Sequence, residues 1–203
     1  MGVAQSVISP NLVDRVKAIL MKPKVEWPVI EAEQTDISTI FRSYAIPLAA
    51  IGPVANAIGM ALIGTSTLAG AARVPIVNAI VGAIIAFGLA LLGTYVVAHV
   101  IDNLAPRYGG TRNLTKAFKV SAYSSTAQWL AGVFALIPAL SPLSILGLYS
   151  LYLLYLGLPG LMKVPQEKAM SYTVAVVVVA LIVLIVIAIV SGIIIGVGAV
   201  ATL

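Results

Sequence analysis

Long apolar runs alternate with short polar stretches along this chain, and the runs have the length of membrane crossings. A transmembrane helix needs about 20 predominantly apolar residues. Four runs meet that plainly: about Ser43 to Ile63, Pro75 to about Ile101, about Leu143 to Met162, and about Tyr172 to Leu203. Another, about Val120 to Ile137, carries Ser121, Tyr123, Ser124, Ser125, Thr126 and Gln128 among its apolar positions. The pattern predicts an all-α, polytopic bundle of five transmembrane helices.

Ahead of the first run the pattern changes. Ser9 followed by Pro10 predicts a helix start, with proline at the first helical position. Leu12, Val13, Val16, Ile19 and Leu20 then share one face, with Asn11, Asp14, Arg15 and Lys17 turned away from it. A short amphipathic helix with basic residues on its polar face suits the membrane interface. Packing against the chain's own cytosolic loops fits the same pattern. Pro23 stops this helix, Trp27–Pro28 reads as an interfacial anchor, and Glu31, Glu33 and Asp36 mark a solvated stretch. The chain thus divides into a cytosolic amphipathic segment, residues 1–40, and a transmembrane domain, residues 41–203.

Composition makes lipid the main solvent. Hydrophobic residues make up 61% of the chain and charged ones 9%, against about a quarter charged in a soluble domain. The net charge of +5 does not suggest a nucleic-acid partner, because the basic residues sit in short stretches between apolar runs. With no cysteine in the chain, disulfides, thiol catalysis and thiolate metal sites are excluded. The N-terminal stretch holds Asp14, Arg15 and Lys17 and no continuous apolar core, so no cleaved signal peptide is expected.

Charge then orients the bundle. Five spans with the N-terminus in the cytosol put Arg15, Lys17, Lys22, Lys24, Arg42, Arg107, Arg112, Lys116, Lys119, Lys163 and Lys168 inside, and only Arg73 outside. That is the bias of the positive-inside rule, and it places the C-terminus outside. A re-entrant hairpin over Val120–Met162 keeps the same basic clusters inside and stands as the alternative.

Candidate chemistry is sparse. His99 and Asp102 lie three apart at the cytosolic end of the second span, with Asn103 beside them. They can share a helix face and hydrogen-bond, as an interfacial pair or as a proton or cation site. Asn56 and Gln128 are lone amides within spans, suited to bonding a neighbouring helix or a solute. Tyr149, Tyr152 and Tyr155 form a possible aromatic groove, with plain packing as the simpler reading. Small residues recur at Gly82, Ala86, Ala90, Thr94 and Ala98, and again at Ala188, Gly192 and Gly196, as helix packing within the chain or between copies requires. Pro47, Pro53 and Pro159 predict kinks. Arg107–Tyr108–Gly109–Gly110 reads as a turn. No catalytic triad, phosphate-cradling glycine loop or zinc pattern is found, so neither an enzyme nor a cofactor or metal is expected.

Three stretches carry a resemblance: PKVEWPVI from Pro23 to Ile30, AYSSTAQWLAGVF…IP from Ala122 to Pro138, and LYSLYLLYLGLPGLMKVPQEKAMSYT from Leu148 to Thr173. Together with the layout they resemble bacterial members of the Yip1 domain family. The resemblance implies five spans, a cytosolic N-terminal segment and residence in the bacterial cytoplasmic membrane. Eukaryotic relatives are implied to bind prenylated small GTPases and to act in vesicle traffic. Their DLYGP-type motif is not found here, so small-GTPase binding is not expected. A non-enzymatic membrane-organising or adaptor role is expected, with membrane lipids, a second copy or another membrane protein as partner. The alternative is a small ion or solute channel or transporter.

Overall fold

The computed structural model describes residues 11–67 and 70–200, with the backbone alone described for 65–72, 184 and 187–200. Two short helices come first, α1 (Leu12–Met21) and α2 (Pro23–Ala32). Asn11 caps α1 by accepting a hydrogen bond from the Asp14 amide at 2.9 Å. Ser9 and Pro10, expected at this helix start, lie outside the described residues. Pro23 opens α2 at the first-turn position where its missing N–H costs nothing.

A long helical stretch follows, α3 (Ile37–Ile63), then α4 (Ile76–Leu104), which continues as a 3-10 turn to Tyr108. The link between them forms a short antiparallel ribbon, Thr65–Thr67 with Gly70–Ala72. Next come α5 (Leu114–Ser124), α6 (Thr126–Ala131), 3-10 turns over Gly132–Leu136 and Pro138–Leu148, α7 (Tyr149–Met162) and α8 (Ala169–Val200). Among the described residues, four stretches are long and apolar enough to cross a membrane: Ile37–Ile63, Ile76–Tyr108, Pro138–Met162 and Gln166–Val183.

The expected third span takes another form. Its residues are helical but broken at Ser125 between α5 and α6, and they form the most enclosed part of the molecule. Residues 117–124 are all buried. The serines and threonine that made this run look weak donate to backbone carbonyls: Ser121 to Thr94 at 2.7 Å, Ser125 to Ser121 at 2.8 Å, and Thr126 to Tyr123 at 2.6 Å. A hydroxyl satisfied in this way is tolerated in an apolar interior.

Proline and glycine shape α3. Pro47 has no N–H and its ring crowds the carbonyl four residues back, and the turn before it, Phe41–Ala45, is widened to a π-helix. Further on, α3 meets the 3-10 turn after α6 with backbone against backbone. A Cβ on Gly132 would lie 2.6 Å from the Gly52 Cα, and one on Gly59 would lie 2.5 Å from the Ala135 carbonyl oxygen. The small-residue row of α4 divides: Thr94 and Ala98 are buried, while a Cβ on Gly82 would meet nothing within 4 Å. Of the row at Ala188, Gly192 and Gly196 only the helical backbone is described.

These two environments predict opposite outcomes for small enlargements. Gly132→Val forces α3 and its neighbour apart and should lower stability by about 1–3 kcal/mol, the usual range for overpacking. Gly82→Ala should be neutral or slightly stabilising, since helix propensity favours alanine by about 1 kcal/mol. Thermal unfolding in mild detergent checks both. Equal melting of Gly132→Val and wild type would refute the close contact.

Candidate functional site

The polar groups of the chain gather at one end of the bundle, around α1 and α2. Arg15 is 4% exposed. Its guanidinium pairs with Glu26 of α2 and with Glu33 just beyond it, and lies 5.6 Å from the centroid of the Tyr123 ring. The geometry satisfies charge and planar face together, as guanidinium groups allow. Lys119 donates to the carbonyl oxygens of Ile30 at 2.8 Å and Glu33 at 2.5 Å. It therefore caps the C-terminal end of α2, where carbonyls lack helical partners and the dipole favours a cation. Glu31 pairs with Lys163 and with Lys116, the latter at 3.4 Å. The bond from Lys163 holds the Glu31 carboxyl below its ordinary value of 4.5. A carboxyl depressed in the folded state adds stability that is present above that value and lost as pH falls through the lower, folded one.

Sequence reading turned Arg15 outward and took Trp27 as an interfacial anchor and Glu33 as solvated. The structure reverses each. Trp27 is 4% exposed and packs where a Cβ on Gly157 would be only 2.7 Å from its ring. Glu33 keeps 8% of its side-chain exposure. The apolar face of α1 does pack on the chain itself, with Ile19 fully buried, yet Val13 and Met21 remain 56% and 80% exposed.

The residues expected to carry chemistry are distributed over four places. His99 is exposed and its Nδ1 pairs with the Tyr95 carbonyl oxygen at 2.9 Å, not with Asp102. Asp102 is buried, and Arg112 donates from Nε to its Oδ2 at 3.2 Å. Its Oδ1 is buried with no hydrogen-bond partner. Asn103 accepts from Arg112 and donates to the His99 carbonyl oxygen at 2.8 Å. His99 and Asn103 line an open groove of about 520 Å³ between α4 and α8. Gln128 lies elsewhere, beside a cavity of about 130 Å³ shared with Ser124, Ser125 and Ser150. Asn56 stands exposed on α3. Tyr149 and Tyr152 have ring centroids 5.4 Å apart, and Tyr149 donates to the Leu20 carbonyl oxygen at 3.1 Å. Tyr155 is half-buried on the same helix.

Removing Arg15 leaves two carboxylates in a site almost closed to water, a change that typically costs about 3–5 kcal/mol. Arg15→Met should therefore release α1 and α2 from the bundle, read as loss of hydrogen-exchange protection over residues 12–32 with α5 and α7 still protected. Adding Glu26→Gln and Glu33→Gln should restore part of that protection. Unchanged protection in the single variant would refute the lock.

Comparison with known proteins falls on this same architecture. No curated protein and no solved structure matches the chain significantly. The family model described as Yip1 domain matches residues 17–200, from the middle of α1 to the end of α8. The chain belongs to the Yip1 domain family.

Proposed function

We propose that this chain is a non-enzymatic membrane-organising or adaptor protein with a protein or lipid partner, resident in a bacterial cytoplasmic membrane. One observation carries the reading. The ion pairs of Arg15 hold two interfacial helices across the basic end of the bundle, with Val13, Met21 and Val25 exposed among Lys17, Lys22 and Lys24. Apolar and basic residues interleaved on such a helix favour contact with a membrane surface or an acidic partner. The arrangement displays a surface on which a partner can rest.

The topology belongs to the same proposal: five crossings, the N-terminus in the cytosol and the C-terminus outside. Glu31 pairs with both Lys116 and Lys163, and the Thr111 amide bonds the Met162 carbonyl oxygen at 2.9 Å. These contacts gather the N-terminal helices and both basic loops at one end. Residues 126–136 run alongside α3 toward the other end, since Tyr44 bonds Thr126 at 2.6 Å, Gly52 faces Gly132, and Gly59 faces Leu136. A hairpin re-entering from the basic side would turn back before Gly59. The chain has no cysteine, so single cysteines report cleanly. In intact cells a membrane-impermeant maleimide should label Arg73→Cys and Ser141→Cys, and should reach Arg107→Cys and Lys168→Cys only after permeabilisation. A silent Ser141→Cys would replace five crossings with the hairpin.

A transport reading has one observation in its favour, the buried Asp102 Oδ1 without a partner close to the groove of His99. An unpaired carboxylate oxygen is costly where water is excluded and suits a proton or cation. Liposome reconstitution separates the two readings. The organiser should change vesicle diameter or capture a membrane partner on crosslinking, with no proton or cation flux above empty vesicles. Flux that falls at least tenfold in Asp102→Asn would overturn it in favour of transport.

A further inference from the structure

A second groove, of about 420 Å³, opens on the flank of the bundle beneath α1. Its wall is formed by Leu20 at the top and by Leu130, Val133, Phe134, Leu146 and Tyr149 below. The lining is almost wholly apolar, apart from the Tyr149 hydroxyl, which is already committed to the Leu20 carbonyl oxygen. Ala127, Leu130, Ala131 and Phe134 lie on successive turns of one strip, so the groove descends from the interfacial helix into the apolar part of the bundle. Its depth and direction are those of a hydrocarbon chain lying along the protein.

The rim is charged. Lys17 stands three residues before Leu20 and four before Met21, which makes it their neighbour on the surface of α1. Lys22 caps the same helix, and Lys24, in the first turn of α2, lines a separate hollow with Glu31. All three are exposed, and none forms an ion pair among the described residues, whereas Lys116 and Lys163 at the same end are both bound to Glu31. Met21 and Val25, 80% and 65% exposed, stand beside these lysines along the chain. Unpaired cations at the mouth of an apolar slot complement a molecule with a negative head and a hydrocarbon tail.

We propose that this groove is a binding site for an anionic phospholipid of the surrounding membrane, its acyl chain lying against Leu130, Val133, Phe134 and Tyr149 and its phosphate held by Lys17 and Lys22. The site names the lipid partner of the membrane-organising reading, and rests on that reading for the interfacial position of α1. An anionic headgroup gains from each nearby lysine at a membrane surface, while an apolar slot alone does not distinguish headgroups. Recognition therefore needs both halves, and each can be removed separately. Val133 is 46% exposed, so enlarging it fills the slot without entering the core.

Native mass spectrometry of the full chain in mild detergent, offered phosphatidylglycerol or phosphatidylcholine, tests the site. Wild type should retain one phosphatidylglycerol and show about a tenfold preference for it over phosphatidylcholine. Lys17→Gln/Lys22→Gln should abolish the preference and keep the weak common retention, and Val133→Trp should lose both lipids. Lys168→Gln, which removes an exposed charge elsewhere, should behave as wild type. Equal retention of the two lipids by wild type overturns the proposal, and that result needs no variant to fold. A dimer of the chain that Val133→Trp dissolves would overturn it too, by making a second copy the occupant. Vesicle diameter and crosslinking measured on the same preparations separate this from the organiser reading: selective retention with unchanged vesicles and no crosslinked partner sinks that reading and leaves the lipid site standing.

Discussion

Burying a guanidinium is costly unless charge and hydrogen bonds are both satisfied, and the placement of Arg15 governs how the first helices of this protein meet the rest. Its partners are Glu26 in the first turn of α2 and Glu33 at its C-terminal cap, so Arg15 can be satisfied only when α1 and α2 fold back on each other. The Tyr123 ring beneath then ties that pair to the centre of the bundle. Lys119 adds a contact of another kind, binding the carbonyls that α2 leaves free at its end. A helix of ten residues is marginal alone in water. Here both of its ends and one face are held by side chains from elsewhere in the chain.

A second constraint acts inside the bundle, where no water is present to satisfy a stray amide or carbonyl. At two of its departures from regular helix, side-chain bonds replace those that are lost. The π turn at Phe41–Ala45 precedes Pro47, and the Ser43 hydroxyl bonds the Thr39 carbonyl oxygen at 2.6 Å within it. The break at Ser125 is bridged by hydroxyls bonding within the break and by Ser150, which accepts from the Gln128 amide at 2.9 Å. The break at Ser125 is thus internally satisfied and enclosed by neighbours, as an interior without water requires.

These two constraints explain which features were legible in the sequence. Apolar run length is local, so four crossings emerged from it with ends shifted by a few residues: α3 begins at Ile37 rather than near Ser43, and the 3-10 extension carries α4 to Tyr108. The turn at Gly109 was equally local, and there the φ of 80° is one that glycine adopts freely. The broken third segment was harder to read because its polarity counts against a span until each hydroxyl is given an acceptor, and Thr94 lies 27 residues from Ser121. The lock was illegible for the same reason. Helical spacing set Arg15 opposite the apolar face of α1, but spacing within one helix contains nothing about Glu33 or Tyr123. Of the candidate site, the grouping of Asp102 with Asn103 was visible along α4, whereas Arg112, the group that holds both, enters from the following loop.

The two ends of the bundle differ in how they are held, and the difference sets where function can reside. At the basic end, α1, α2, α5 and α7 are cross-tied by charges, and Lys163 adopts a left-handed φ of 57° that side chains other than glycine rarely take. Such a conformation persists only where its surroundings hold it, and here its ammonium is drawn to Glu31. Toward the other end α4 stands largely apart, exposing Ile76, Val77, Ile80 and Ile84. Exposed aliphatic residues of this kind need nothing from the protein when lipid is the solvent, so they impose no fixed geometry on it. Among the described residues the charged cross-ties that hold groups in register lie at the basic end, where α1 and α2 rest on the bundle.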